Sequence, residues 1–317
     1  MATVNRNLSN DFMSALKNGE LTGFLKAVKE DDTLCFEIRR NYINIYYRGG
    51  NLCRIKMKSA KYVFEFDEKY TKNKDANIVK KNKEIIKNIE TWDKVQWINN
   101  IPLLKLIMDA YKLPPEREFQ QLVLRENNNS KICNDTDYYI ADVEYLFNYG
   151  NKKTRRSIDM VAIKWPSTII SRKNKDNLQL ALIEVKYGDS ALNKTSGIIE
   201  HVKDWYKLIS DKNKWNFLCE DAEKVFNQKI ELGLIRGIKN KTITISTKKM
   251  PELILLIINT KPQKTTLNTE LQKINTLDEY KVLRNLGCEE IKIATASMMG
   301  YGLYIECIKP INEFLGE

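Results

Sequence analysis

Two apolar segments that carry charged residues constrain the fold of this chain most. Residues 155–165, RRSIDMVAIKW, and residues 178–188, LQLALIEVKYG, are rich in the β-branched and aliphatic side chains typical of buried strands. However, Asp159 lies within the first segment, and Glu184 and Lys186 lie within the second. A buried charge costs several kcal/mol unless another charge, hydrogen bonds or a metal compensates it. The fold therefore has to supply each of these residues with a partner or bring all three together.

An antiparallel hairpin of the two segments would bring the two carboxylates together. Side chains alternate across a strand, so Glu184 and Lys186 share one face. Pairing through the polar loop 166–177 then predicts these opposite neighbours: Trp165 with Leu178, Ile163 with Leu180, Val161 with Leu182, and Asp159 with Glu184. Directly opposite residues have Cβ atoms roughly 5 Å apart, and two like charges at that distance need a cation between them.

Two carboxylates with a lysine beside them favour a divalent cation with oxygen ligands. Mg²⁺ is typically bound by one or two carboxylates together with waters and phosphate oxygens. The ammonium group of Lys186 could then hold the attacking water and stabilise developing negative charge. The alternative is a buried ion network that only joins the strands, although such networks contribute little net stability.

The chain is expected to form two domains, residues 1–113 and residues 114–317, because Leu113-Pro114-Pro115 is typical of a boundary. In the first domain, the pattern predicts helices with a break at Asn18-Gly19 and then an antiparallel meander over residues 33–66. Helical spacing returns over residues 77–112, and a new helix is expected to start at Ile101-Pro102.

In the second domain, a helix from Pro115 is expected to precede three strands. Further helices, a short apolar strand and a closing strand pair should follow them. The predicted strands are 137–147, 155–165, 178–187 and 252–259, and the predicted helices are 194–210, 215–230 and 266–274.

The motif formed by Ile158-Asp159 and "IEVK" (residues 183–186), together with this order of elements, resembles the PD-(D/E)xK phosphodiesterase superfamily. Ile158 stands where the family name has Pro. The resemblance spans about residues 115–259 and implies an α/β fold. Its restriction-endonuclease-like α-β-β-β-α-β core, with a mixed sheet, would be preceded by a smaller α+β N-terminal domain.

The resemblance also implies roles for the residues of this motif. Asp159 and Glu184 match the metal-binding carboxylates, the carbonyl of Val185 would be a further metal ligand, and Lys186 matches the catalytic lysine. The expected cofactor is Mg²⁺, with Mn²⁺ able to substitute.

Members of this family often add an acid on the helix before the strands. Here Gln120 follows Phe119 where a Glu would be usual, and Glu116 lies one turn earlier on the same face. Gln120 could orient a water but would bind a metal poorly. Glu116 could substitute for the missing acid, or could be an ordinary acid near a helix N-terminus.

A further acid, Glu144, is expected on the strand that precedes Asp159. It is a candidate additional acid of the site. Equally, it could lie on a solvated edge or be a partner of Arg155 or Arg156.

The formal net charge of +11 favours a polyanionic partner, nucleic acid first. Four basic residues immediately before Asp159 could contact phosphates: Lys152, Lys153, Arg155 and Arg156. His201, on the helix after Lys186, could contact a phosphate or a nucleobase, or it could belong to a packed helix face.

Several other classes of function are disfavoured. Six scattered cysteines without a CxxC pair, and one histidine, do not form a structural zinc site at the usual spacings. There is no GxSxG or GxxxxGK[ST] sequence. We found no apolar run of the roughly 20 residues that span a bilayer and no signal peptide, so a cytoplasmic protein without a membrane partner is expected.

The predicted function is metal-dependent hydrolysis of phosphodiester bonds in nucleic acid, with DNA the expected substrate. Such an endo- or exodeoxyribonuclease would leave 5′-phosphates, by resemblance, and would act in restriction, phage defence or repair. The N-terminal domain could recognise substrate, form a homodimer or dock a partner protein. The alternative is a non-catalytic nucleic-acid-binding or protein-interaction module on a nuclease-like core, which Gln120 favours.

Overall fold

The computed structural model describes residues 6–72, 77–111, 114–148, 155–193, 197–239, 241–258, 265–296, 303, 305 and 308–316. Within these residues the protein is mixed α/β, with a four-stranded antiparallel sheet and a six-stranded mixed sheet. The chain divides into two compact units, Met1–Arg125 with Glu231–Leu234, and Glu126–Ile230 with Ile235–Glu317. This division falls within the helix Pro115–Asn128, beyond the boundary expected at Leu113-Pro114-Pro115.

The first unit begins with two amphipathic helices, α1 (Asn10–Asn18) and α2 (Thr22–Glu30). The Ser9 side chain caps α1 by accepting a hydrogen bond from the Phe12 amide. Gly19 lies between the helices, where a Cβ atom would be 2.8 Å from the Ala15 backbone. The predicted break at Asn18-Gly19 is therefore confirmed, and close backbone approach explains it.

The predicted meander is also confirmed, as the sheet β1 (Leu34–Ile38), β2 (Tyr42–Tyr47), β3 (Gly50–Lys58) and β4 (Lys61–Glu65). The β2–β3 connection consists of Arg48 and Gly49, with φ of 46° and 76°. Positive φ at both central residues is characteristic of the type I′ turn, whose twist matches that of the paired strands.

The helical region that follows consists of α3 (Asn77–Lys81), α4 (Lys83–Lys87) and α5 (Lys94–Tyr111). The helix start expected at Ile101-Pro102 is wrong, because α5 begins at Lys94 and continues through Pro102. A capping box fixes this start. The Asp93 carboxylate accepts from the Gln96 amide, and the Gln96 side chain accepts from the Asp93 amide, both at 2.8 Å.

The second unit contains the mixed sheet, and α6 (Pro115–Asn128) leads into it. Its strands are β5 (Tyr138–Asn148), β6 (Arg155–Lys164), β7 (Gln179–Tyr187), β8 (Glu252–Ile258), β9 (Lys292–Ala296) and β10 (Ile308–Pro310). Its helices are α7 (Ile169–Lys173), α8 (Ile198–Ile209), α9 (Lys212–Glu231), α10 (Thr265–Ile274), α11 (Asp278–Asn285) and α12 (Ile311–Leu315). The predicted strands and helices that fall in described residues lie within a few residues of these bounds, except that the last strand, expected over residues 302–308, is Ile308–Pro310.

The strand order is β10-β9-β8-β7-β6-β5. The β7–β8 and β8–β9 pairs are parallel, and the other pairs are antiparallel. β8 is buried along its whole length, and β7 is buried except at its two ends. Both faces of these central strands are therefore covered, which explains their nearly continuous apolar sequences.

One face of the mixed sheet contributes to a hydrophobic cluster with α8 and α9. Leu180 and Leu182 of β7 belong to it, as do Val202, Trp205 and Leu208 of α8. Full burial of such a side chain contributes roughly 1.5–3 kcal/mol. This packing fixes the α8 face that carries His201 relative to the β7 face that carries Glu184.

The bounds of α5 lead to a first prediction. Pro102→Ala should raise the free energy of unfolding by about 1–3 kcal/mol, because alanine restores a helix N–H and removes a ring clash inside the helix. Asp93→Ala should lower it by about 0.5–2 kcal/mol through loss of the N-cap. Urea denaturation measures both, and a Pro102→Ala variant that is neutral or less stable would contradict a helix that passes through Pro102.

Candidate functional site

The β6–β7 hairpin forms in the register that the apolar residues predict. Ile163 lies opposite Leu180, and Val161 lies opposite Leu182. The described ladder ends at the next pair, so the expected direct pairing of Asp159 with Glu184 is not part of it. Instead, Asp159 Oδ2 accepts a hydrogen bond from the backbone N–H of Val185 at 2.8 Å. The Asp159 carboxylate thus takes the place of a strand partner and still lies beside Glu184.

The β5–β6 pair is irregular close to Asp159, and its register shifts between Ile140 and Asp142. Ile158 and Val161 belong to the same hydrophobic cluster, although residues three apart in a regular strand face opposite sides. On β5, Glu144 lies between the residues paired with Met160 and Ile158, at the register position of Asp159. Glu144 has a φ of 50°, a left-handed conformation that costs of order 1–3 kcal/mol in a non-glycine residue. The backbone therefore brings Glu144 to the position of Asp159, and its role as an additional acid stays a prediction.

Glu184 contacts two other side chains of the site, and its own side chain is 1% exposed. Its Oε1 atom accepts from Lys186 Nζ at 2.7 Å and lies 3.0 Å from His201 Nε2. Lys186 reaches it along the same face of β7, whereas His201 reaches it from α8. His201, expected to contact nucleic acid or to lie on a packed face, therefore has a definite partner within the site.

The electrostatics of Asp159 oppose its ionisation. Burial and the neighbouring charge of Glu184 raise the pKa of the Asp159 carboxyl well above its ordinary value of 3.8. Lys186 and the Val185 amide act in the opposite direction and do not outweigh this. The surroundings of Asp159 thus favour the protonated form of its carboxyl.

A second charged contact lies further along α8. Asp204 follows His201 by three residues, so both lie on neighbouring positions of one helix side. Its Oδ2 atom is 3.5 Å from Arg156 Nη1, and its Oδ1 atom is 3.7 Å from Lys207 Nζ. Asp204 belongs to no motif that would mark it in the sequence. Only the tertiary packing of α8 brings it to Arg156.

The other predicted site residues fall into three groups. Lys152 and Lys153 lie outside the described residues, and Arg155 is described only as part of β6. Glu116 and the buried Gln120 lie on the part of α6 that belongs to the first unit. Arg156 is described and contacts Asp204. Roles for Glu116 and Gln120 beside Asp159 remain predictions.

The donor set suits a hard cation, although it is small. Asp159 and Glu184 supply carboxylate oxygens and Val185 a backbone carbonyl, and Mg²⁺ is commonly held by one or two carboxylates plus waters and phosphate oxygens. Among the described residues, no group of three or more His, Cys, Asp or Glu side chains is arranged to hold a metal. A bound cation would lower the pKa that crowding has raised in Asp159.

The raised pKa of Asp159 predicts a stability effect that depends on pH. A carboxyl with a raised pKa in the folded state favours folding fully only below its unfolded pKa, and this contribution is lost as the pH rises through the folded pKa. At pH 7 and without metal, Asp159→Asn should therefore be more stable than the wild type, because asparagine can still accept from Val185 and never ionises. Thermal melting should show the difference shrinking towards pH 4.

The exposed Asp176 provides a matched control for this prediction. Asp176→Asn should change the melting temperature little at any pH, since surface substitutions are usually within ±0.5 kcal/mol. A metal-free Asp159→Asn variant less stable than the wild type at pH 7 would contradict the electrostatic account.

No helix in the described part of the chain is both long and apolar enough to cross a bilayer. Comparison of the chain with protein-family models, with curated proteins and with solved structures found no match. The case for a function therefore comes from the geometry and chemistry of the chain's own residues.

Proposed function

We propose that this protein is a metal-dependent nuclease of the PD-(D/E)xK type, with a restriction-endonuclease-like core in its second unit. The observation that carries the proposal is the meeting of Asp159, Glu184 and Lys186 on β6 and β7, where crowding raises the pKa of Asp159. Carboxylates with perturbed pKa values next to a lysine are frequent in catalytic sites. The antiparallel β6–β7 pair and the parallel β7–β8 pair are compatible with the mixed sheet of that core.

Nucleic acid, and DNA first, is the proposed substrate. The formal net charge of +11 attracts polyanions. Arg156, on the strand that carries Asp159, adds a guanidinium group near the carboxylates. Cleavage to 5′-phosphate products, within cytoplasmic restriction, phage defence or repair, is part of the same proposal. So is a role of the first unit in substrate recognition, homodimer formation or binding of a partner protein.

In this mechanism, Asp159, Glu184 and the Val185 carbonyl would hold Mg²⁺ or Mn²⁺. The ion would supply an activated water and neutralise charge on the phosphate. Lys186 has three N–H donors, one of which is directed at Glu184, and the others can stabilise negative charge on a phosphate or water oxygen. His201 holds the orientation of Glu184 through Nε2.

The second candidate function is a non-catalytic nucleic-acid-binding or interaction module. Two observations favour it. Lys186 and His201 both contact the same oxygen of Glu184, and the described residues contain no group of three side-chain ligands. Gln120, where an acid would be usual, also favours this alternative.

Cleavage assays on plasmid and on single-stranded DNA with Mg²⁺ or Mn²⁺ test the proposal. Asp159→Ala and Lys186→Ala should each lower the rate by at least about 10²–10³-fold, the typical loss when one electrostatic group of an active site is removed. Asp176→Ala and Lys175→Ala, at exposed positions at the other end of the hairpin, are matched controls that should retain activity.

Unchanged cleavage in both site variants would place the activity elsewhere. Binding of DNA without cleavage, under every divalent cation tried, would favour the non-catalytic module.

Metal binding can be tested without DNA. Free Mg²⁺ at about 100 times its Kd should stabilise the wild-type protein by about 2.7 kcal/mol, because it binds only the folded state. Asp159→Asn and Glu184→Gln should lose this stabilisation, whereas Asp176→Asn should keep it. An equal rise in melting temperature in all of these proteins would indicate a general salt effect instead of a site at Asp159 and Glu184.

A further inference from the structure

Asp204 is a buried carboxylate that the proposed metal chemistry does not use. It is 1% exposed, and burial raises its pKa, against the effect of Arg156, Lys207 and His201. A carboxylate in such a position is costly unless cations are held against it. Two cations, Arg156 and Lys207, lie within 4 Å of this carboxylate, and the carboxylate of Glu200 also acts on it.

The geometry of α8 places this cluster beside the carboxylates of the site. His201 contacts Glu184, and Asp204, three residues later on the helix, contacts Arg156. Helix residues three apart have Cβ atoms about 5–6 Å apart. The Arg156 side chain therefore reaches α8 about one helical turn from the point where Glu184 reaches it.

Arg156 is also suited to bind an anion. Its side chain remains 34% exposed while Asp204 is almost fully buried. A guanidinium has five N–H donors in a planar fork that matches a phosphate in two-point contact. In the described contact, Asp204 lies against one terminal nitrogen, Nη1, and the guanidinium carries further N–H donors.

We propose that Asp204 is a positioning residue that holds Arg156 to bind a phosphate next to the scissile one, so that the site takes polynucleotides in preference to isolated phosphodiesters. The expected effect on kinetics rests on the proposed nuclease function. The expected effect on oligonucleotide binding does not depend on catalysis. An ion pair that only joins β6 to α8 would produce neither effect.

Binding is measured first, in EDTA, with a short fluorescent oligonucleotide and fluorescence anisotropy. Arg156→Gln and Asp204→Asn should each weaken binding about 5- to 10-fold, and Arg156→Gln should reduce the slope of log K against log salt by about 1. The Asp204 result is the more informative one. Removing a negative charge would by itself tighten binding to a polyanion, whereas loss of Arg156 positioning weakens it.

Kinetics provide the second measurement, as the ratio of kcat/KM for an oligonucleotide to that for bis(p-nitrophenyl) phosphate, which has no neighbouring phosphate. This ratio should fall about 10-fold in Arg156→Gln and Asp204→Asn, mainly through KM. Arg156→Lys should show an intermediate loss, because it keeps the charge without the planar fork. Asp204→Glu should restore part of the ratio.

Each outcome decides a separate question. Tighter or unchanged oligonucleotide binding in Asp204→Asn, together with an unchanged ratio, would overturn the positioning role. If the wild-type protein hydrolyses neither substrate, the proposed nuclease function fails, and the anisotropy measurement in EDTA still judges the inference. Circular dichroism would show whether Asp204→Asn folds. If it does not, Arg156→Lys and Arg156→Gln test the same role, because Arg156 is partly exposed.

Discussion

The rest of the site depends on the contacts of Glu184 with Lys186 and His201. One buried carboxylate oxygen receives Lys186 from its own strand and His201 from α8. The hydrophobic cluster that includes Trp205 and Leu208 fixes α8 against the sheet, so the polar contact and the apolar packing require the same helix position. A shift of α8 by one turn would break both at once. The helix therefore positions the site, and the site in turn restricts where the helix can pack.

In the same sheet, a second buried carboxylate, Glu252, has cationic partners that compensate its charge. Burial alone would raise its pKa, but hydrogen bonds from Lys164, Lys292 and Tyr138 outweigh burial and lower it. At Asp159 the balance is reversed, because after burial the largest effect on its pKa comes from another carboxylate, Glu184. The two clusters lie in one sheet, and each contains an almost fully buried glutamate, Glu252 and Glu184. What distinguishes the two clusters is the direction of the pKa shift, which is downward at Glu252 and upward at Asp159.

The strand register of the hairpin could be predicted, because a local pattern determines it. The contacts of the hairpin with α8 could not, because they depend on tertiary packing. Alternating apolar residues gave the β6–β7 register, since shifting it by one residue would turn Leu180 and Leu182 away from the core. The contact of His201 with Glu184, and that of Asp204 with Arg156, depends on how α8 lies across the strands, which no spacing within the helix encodes. At Pro102, by contrast, a local pattern predicted a helix start that is wrong. A local rule for proline placed a helix start there, and the capping box at Asp93 had already started the helix.

The irregular β5–β6 pairing close to Asp159 lowers stability at the same place as the proposed site. A regular ladder would continue to pair β6 with β7 beyond Met160 and would leave the Val185 N–H to a backbone carbonyl. Here the Asp159 side chain accepts from that N–H, and the chain tolerates both a left-handed Glu144 and a carboxyl with a raised pKa at the same level of the sheet. The left-handed conformation of Glu144 and the raised pKa of Asp159 each cost folding free energy. At the proposed metal site these features would be used together, because a bound cation would offset the crowding of Asp159 and Glu184.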